Sequence, residues 1–277
     1  MKRQNIQTNN FLCLLRSGAF NESKPIGIMS AFKWEKLVQL AWLHKVTPLF
    51  ASGIEHYYYD DNLNVPDKEI EKIRLQLRDL PANSFSDLYK FESMSLRNRK
   101  LNTTLKHIID KEYSDSEKSY ETMQLMAILI ANVGNILTGK SYLKGIIDLG
   151  RYLRMEGGKV DFVKLESWLS QTKMTKMANL QGNMLIEGFG FNEDELPFVS
   201  KKDKKTDKAL IKAIRHDDMG TLKAWDFHES KTGFIVGSPK AAFKSIRHAL
   251  SYRRYAPRET YSTIMRGVIK GLAEIEE

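Results

Sequence analysis

The sequence predicts a mainly α protein, an irregular array of about ten helices with at most one short strand or hairpin. Three observations point there. Gly and Pro number only 17 and 7 in 277 residues, which leaves little turn chemistry for a many-stranded β fold. Apolar residues recur at helical spacing through most of the chain. Capping residues and Gly stops punctuate that periodicity.

The elements follow in chain order. Asn10–Gly18 (NFLCLLRSG) reads as a short helix stopped by Gly18. Residues 21–29 form a loop containing Pro25 and Gly27. Ser30 is placed to cap the next helix, in which Phe32, Leu37, Leu40, Ala41 and Trp42 recur at helical spacing. Thr47-Pro48 reads as a cap and a first-turn proline, opening a helix through Leu49, Phe50, Ile54 and Tyr57. Asn64–Asp67 is a second loop with a cap, after which Ile70, Ile73, Leu77 and Leu80 mark one helix face. Pro81 falls inside the pattern and predicts a break or kink. Beyond it a helical stripe runs from Phe85 and Leu88 through Met94, Leu101 and Leu105 to about Asp110.

The polar stretch Lys111–Tyr120 (KEYSDSEKSY) leads to an apolar helix, Met123–Leu137, stopped by Thr138-Gly139. Tyr142–Met155 carries Leu143, Ile146, Ile147, Leu149 and Leu153 on one side and ends at Gly157-Gly158. Asp161 caps a short helix through Val163, Leu165, Trp168 and Leu169. Met174–Gly188 is another helix, closed by Gly188-Phe189-Gly190. Lys201–Lys208 (KKDKKTDK) is a charged, solvated stretch and Ala209–His216 a short helix. Gly233–Gly237 reads as a short strand or an apolar loop. Pro239–Tyr252 and Pro257–Ile275 are the final helices.

Composition bounds the molecule. A chain of 277 residues with 42% hydrophobic content buries a sizeable core. We read a helical domain at residues 1–198, a charged linker at 199–208 and a basic C-terminal helical segment at 209–277 packed on the body. One cysteine, Cys13, excludes an intramolecular disulfide and a cysteine-based metal cluster, and its apolar helical run predicts a buried thiol. Trp34, Trp42 and Trp168, at helical spacing with Leu and Val, are assigned to the core. Polar residues follow Lys2 and Arg3 where a secretory signal has an apolar region. The longest apolar run, Met123–Leu137, holds Gln124, Asn132 and Asn135 and is too short and polar for a membrane span. The expected location is the cytoplasm.

Several segments resemble the nucleotidyltransferase family proteins of Bacteroides-like bacteria. They are Phe11–Gly18 (FLCLLRSG) with Trp34–Ile54 (WEKLVQLAWLHKVTPLFASGI); Gly139–Leu153, Gly158–Gln171 and Gly188–Phe198; and Arg247–Thr260 (RHALSYRRYAPRET). The resemblance implies a central core with a Gly-Asp or Gly-Ser turn, then two carboxylates one residue apart on a strand, holding Mg²⁺ at nucleotide phosphates. That core is missing here, and the flanks join near residues 111–120. Because this junction stands in place of a whole domain, Leu101–Asp110 and Met123–Leu137 are expected to pack as near-antiparallel neighbours.

Three acidic groups have suitable spacing: Asp67/Glu69, Asp115/Glu117 and Glu193-Asp194-Glu195. None follows an apolar strand with such a turn. Phe234–Ser238 resembles a strand entering a Gly-Ser turn before Pro239, yet Ser238–Lys270 holds one acid, Glu259. His216-Asp217-Asp218 and Asp226-Phe227-His228 have the residue types of metal ligands but no second cluster beside them. No catalytic residue, metal ligand or cofactor is therefore assigned; Mg-NTP enters only if an unrecognised site exists.

The charge pattern says more. Ser238–Lys270 carries eight Lys or Arg against one acid, most of the chain's net +9. Phe243, Tyr252, Tyr255 and Tyr261 are interleaved with them. The candidate anion or nucleic-acid contacts are Lys240, Lys244, Arg247, Arg253, Arg254 and Arg258. The expected function is a non-catalytic, nucleotidyltransferase-like binding or scaffold module for an unidentified protein partner. The alternatives are an active nucleotidyltransferase and a nucleic-acid-binding protein using the basic C-terminal helices.

Overall fold

The computed structural model describes residues 6–78, 89–115, 118–139, 142–200, 202, 206, 209–210, 214 and 239–273. Among these the chain forms eleven α-helices, two short 3-10 turns and no strand, so the protein is mainly α. The stretch Gly233–Gly237 and the kink expected at Pro81 lie outside the described residues.

An N-terminal layer comprises α1 (Ile6–Phe20), α2 (Ala31–Leu43), α3 (Thr47–His56) and α4 (Asp67–Arg78). α1 and α3 form the closest pair. A Cβ on Gly18 would lie 1.8 Å from the Leu49 carbonyl oxygen, and one on Gly53 would lie 2.0 Å from that of Leu14. Gly18 is therefore not the expected helix stop; α1 runs past it, and the glycine lets two backbones touch. The loop between α1 and α2 is pinned by side chains. Asn10 bonds both backbone groups of Gly27, and Asn64 does the same for Met29 while accepting from Trp34 Nε1 at 3.0 Å.

The central bundle is α6 (Tyr120–Thr138), α7 (Tyr142–Glu156), α8 (Phe162–Gln171) and α9 (Thr175–Phe189). α6 is apolar nearly all round because it is the spine, touching α7, α8, α9 and the C-terminal helices. Its one fully buried amide, Asn132, donates to the Gly145 carbonyl of α7 at 2.9 Å and to Gln181 Oε1 of α9 at 3.0 Å. Gly139 and Gly190 take left-handed φ values of 72° and 76° and end α6 and α9 as the sequence predicts. Asp161 caps α8 by accepting from the Lys164 N–H at 2.9 Å. One hydrophobic core joins both layers, with α1 packed on α7 and α9.

Several expectations are corrected. Phe32 and Trp42 are exposed, so the buried stripe of α2 is Trp34, Leu37, Val38, Leu40 and Ala41. Thr47 is the first residue of α3 rather than its cap, and its hydroxyl donates to Gln76 of α4. Tyr89–Asn98 is not helical: the next helix, α5 (Arg99–Ser114), starts only at Arg99, with Asn98 as its N-cap accepting from the Leu101 N–H. The Tyr89 hydroxyl donates to the buried Asp148 carboxylate of α7 at 2.7 Å, which ties this non-helical segment to the central bundle. The helix α5 packs mainly on α8, burying Leu101, Leu105, Ile108 and Ile109, and its Glu112 pairs with Lys164 of α8 at 2.7 Å. Thr206, inside the charged stretch, is buried, as are Leu210 and Ile214 beyond it.

The last two helices are α10 (Pro239–Leu250) and α11 (Pro257–Ala273). They pack on each other and both touch α6. His248 Nε2 donates to the Ile136 carbonyl of α6 at 2.8 Å. Among the described residues, no helix is long and apolar enough to cross a membrane.

Candidate anion-binding cleft

Short-range chemistry sets the site. α10 ends at Leu250, a turn carries Arg253 and Arg254 outward, and Pro257 starts α11. The turn is fixed from inside by Tyr252 and Tyr255, both buried, with ring centroids 6.4 Å apart. Arg254 lies over the Tyr255 ring at 4.4 Å and donates to the Tyr255 hydroxyl. The one acid of the segment, Glu259, is buried at 2% exposure. Its carboxylate accepts from the backbone N–H groups of Arg97 and Asn98, the latter at 2.9 Å, and so caps the start of α5.

Facing this turn is the junction of α8 and α9. Lys173 has φ 59°, a left-handed conformation unusual for a residue with a side chain. The backbone bonds from Lys173 N to Ser170 O and from Met174 N to Leu169 O make this the closing turn of α8, with Lys173 where glycine is usual. α9 follows at once, with Met174 as an N-cap that makes no side-chain cap bond.

Between the two lies a cleft of about 370 Å³. Its rims carry Lys173 and Lys176 on one side and Arg254 and Arg258 on the other. Leu101 of α5, Met174, Ala256 and Pro257 supply its apolar part, and among the described residues no carboxylate lines it. All four cations are exposed, and Lys173, Lys176 and Arg258 form no ion pair among the described residues. Helices α9 and α11 both begin here, and N-terminal helix ends favour negative charge. Like charges held around an apolar floor raise the local potential, so the arrangement suits an anion with an apolar part.

Of the candidate contacts named from sequence, Arg254 and Arg258 line the cleft. Arg253 is exposed in the turn beside them. Lys244 and Arg247 are exposed on α10, outside the cleft. Lys240 sits one turn before Lys244 on the same helix, and its side chain lies outside the described ones. Sequence reasoning missed Lys173 and Lys176. Their signal was a pair of lysines straddling a helix break, far along the chain from the basic segment they join.

The acidic groups sit elsewhere. Asp67 and Glu69 open α4, where Glu69 pairs with Lys72 at 2.8 Å. Glu193–Glu195 form a 3-10 turn in which Glu195 accepts from the Asn192 N–H and pairs with Arg154. Asp115 ends α5; Glu117, His216–Asp218, Asp226–His228 and Ser238 lie outside the described residues. Among the described residues no three His, Cys, Asp or Glu side chains are grouped to hold a metal ion. Comparison with family models, curated proteins and solved structures finds no match to this chain.

Proposed function

We propose that this chain is a non-catalytic binding module, of bacterial nucleotidyltransferase-like descent and cytoplasmic location, that takes a phosphate-bearing ligand in the cleft. One observation carries the reading: four exposed cations line one cavity, and among the described residues no carboxylate shares the lining and Lys173, Lys176 and Arg258 form no ion pair. Cations held apart from counter-charges repel one another in the free protein and are relieved by a bound anion. A phosphate-bearing group on the ligand or partner is the natural match, since lysine and arginine both donate to phosphate oxygens.

A thermal-shift series tests it, using inorganic triphosphate and ATP, GTP, CTP and UTP, each with and without Mg²⁺. A ligand at a hundred times its Kd stabilises the fold by about 2.7 kcal/mol, a readable shift. Stabilisation without Mg²⁺ supports the module. A flat series with a sharp melting transition sinks it.

The second reading is an active nucleotidyltransferase. It is favoured by the cleft volume, about 370 Å³, which falls in the range of small-ligand sites. It requires Mg²⁺-dependent stabilisation together with nucleotidyl transfer that is lost on removing an acid.

A further inference from the structure

We propose that the cleft seats one nucleotide of a single-stranded nucleic acid while neighbouring phosphates run along α10. The inference rests on the anion-binding reading above and specifies its ligand.

Three features favour a strand. First, the cleft is only half ionic. Exposed Pro257 lines it beside the cations, with Leu101 and Met174 buried behind, and inorganic phosphate would leave Pro257 uncovered. A nucleotide fills both parts, with phosphate at the rim and base inside. Second, the planar Arg254 guanidinium lies 4.4 Å from the centre of the Tyr255 ring and donates to its hydroxyl, which holds it at the cleft. A flat cation fixed by an aromatic ring is a stacking surface for an unpaired base. Third, the positive charge does not stop at the cleft. Arg253 continues it in the turn, and Arg247 and Lys244 are exposed on α10, with Lys240 one turn further. Lys244 and Arg247, three residues apart, lie on one side of α10 about 5 Å apart along its axis at 1.5 Å per residue. A single nucleotide in the cleft leaves that row uncontacted; a strand uses it.

A duplex fits less well. Its bases are stacked and paired, so only its phosphates could reach the rim and Pro257 would stay uncovered. An anionic membrane would meet the exposed row on α10 but could not enter the recessed cleft.

The test is fluorescence anisotropy on the full chain with labelled single-stranded DNA and RNA of increasing length. Thymidine monophosphate, a same-length duplex and phosphatidylserine vesicles serve as competitors. Affinity should rise with strand length until cleft and α10 row are both covered, then level off. The slope of log K against log salt should lie between about −2 and −4, for three to six phosphates at about 0.7 each. The double variant Lys173→Glu/Lys176→Glu should lose at least about tenfold and show a shallower slope, with an unchanged melting curve confirming the fold. Arg254→Lys keeps the charge but removes the plane, and should narrow the preference for single strand over duplex.

Affinity independent of length, equal competition by duplex, or displacement by vesicles alone would each overturn the strand. If the oligonucleotides fail while triphosphate still stabilises the protein, only this inference falls. If both fail, the anion-binding reading falls with it.

Discussion

Cys13 is 4% exposed, and its thiol donates weakly to the Pro25 carbonyl. Burial pushes its pKa up, so it stays a neutral thiol and a poor nucleophile. A thiol-reactive dye should therefore label the folded chain very slowly and the urea-unfolded chain at once; fast labelling of folded protein would show α1 opening. Tyr89 offers a second residue-level test. Burial first, and then the Asp148 carboxylate, raise its pKa above the ordinary 10.0. Because the folded pKa is raised, the stability this tyrosine contributes is fully present below about pH 10 and declines above it, where the unfolded chain ionises while the native hydroxyl stays protonated. Urea midpoints measured from pH 7 to 11 should fall at the alkaline end. Tyr89→Phe should flatten that fall while costing about 1–3 kcal/mol at pH 7, because Asp148 then loses a buried donor. The buried thiol was legible in the apolar helical run around Cys13, but the Tyr89 contact was not. Tyr89 looked like part of a helical stripe, and only its distant partner on α7 shows why it is not.

At the scale of elements, caps and stops were the readable part. Asp161, Gly139 and Gly190 behave as their local chemistry predicts because each acts within one turn. Helix pairing was less readable. The expected α5–α6 pair is not among the main helix contacts; α5 packs instead on α8, where Glu112 pairs with Lys164 at 2.7 Å. The α1–α3 contact gives an element-level prediction: Gly53→Ala places a methyl 2.0 Å from a backbone oxygen, which cannot rotate away. The pair must part, and stability should drop by about 1–3 kcal/mol or more in chemical denaturation. Lys173 gives another. Lys45 closes α2 with the same left-handed backbone, φ 56°, yet does not line the cleft. Lys173→Gly and Lys45→Gly should each raise the urea midpoint, by up to about 1 kcal/mol of stability, since glycine adopts that φ without strain. Only Lys173→Gly should weaken anion binding. Equal binding by both variants would remove Lys173 from the site.

For the whole molecule, the fold class was legible and the site only half so. Periodicity and scarce Gly and Pro gave a helical protein, because these signals are local. The cleft is made of one rim that stood out as a charge run and another, Lys173 and Lys176, that tertiary packing alone brings near. Arg254 and Arg258 sit about eighty positions further along the chain. Tyr252, Tyr255 and Ala256 belong to the same hydrophobic core as α1 and α6. We therefore expect a single calorimetric transition in which α10 and α11 melt with the rest; a separate early transition for the C-terminal helices would contradict it.

The bond from Glu259 to the start of α5 has one more consequence. The N–H groups of Arg97 and Asn98 are covered by a carboxylate that arrives from α11. Their amide protons can exchange with deuterium only when that carboxylate withdraws. Two amides in the middle of the chain thus act as built-in clocks for undocking of its C-terminal helices, and their protection factors measure the free energy of that opening without any probe being attached.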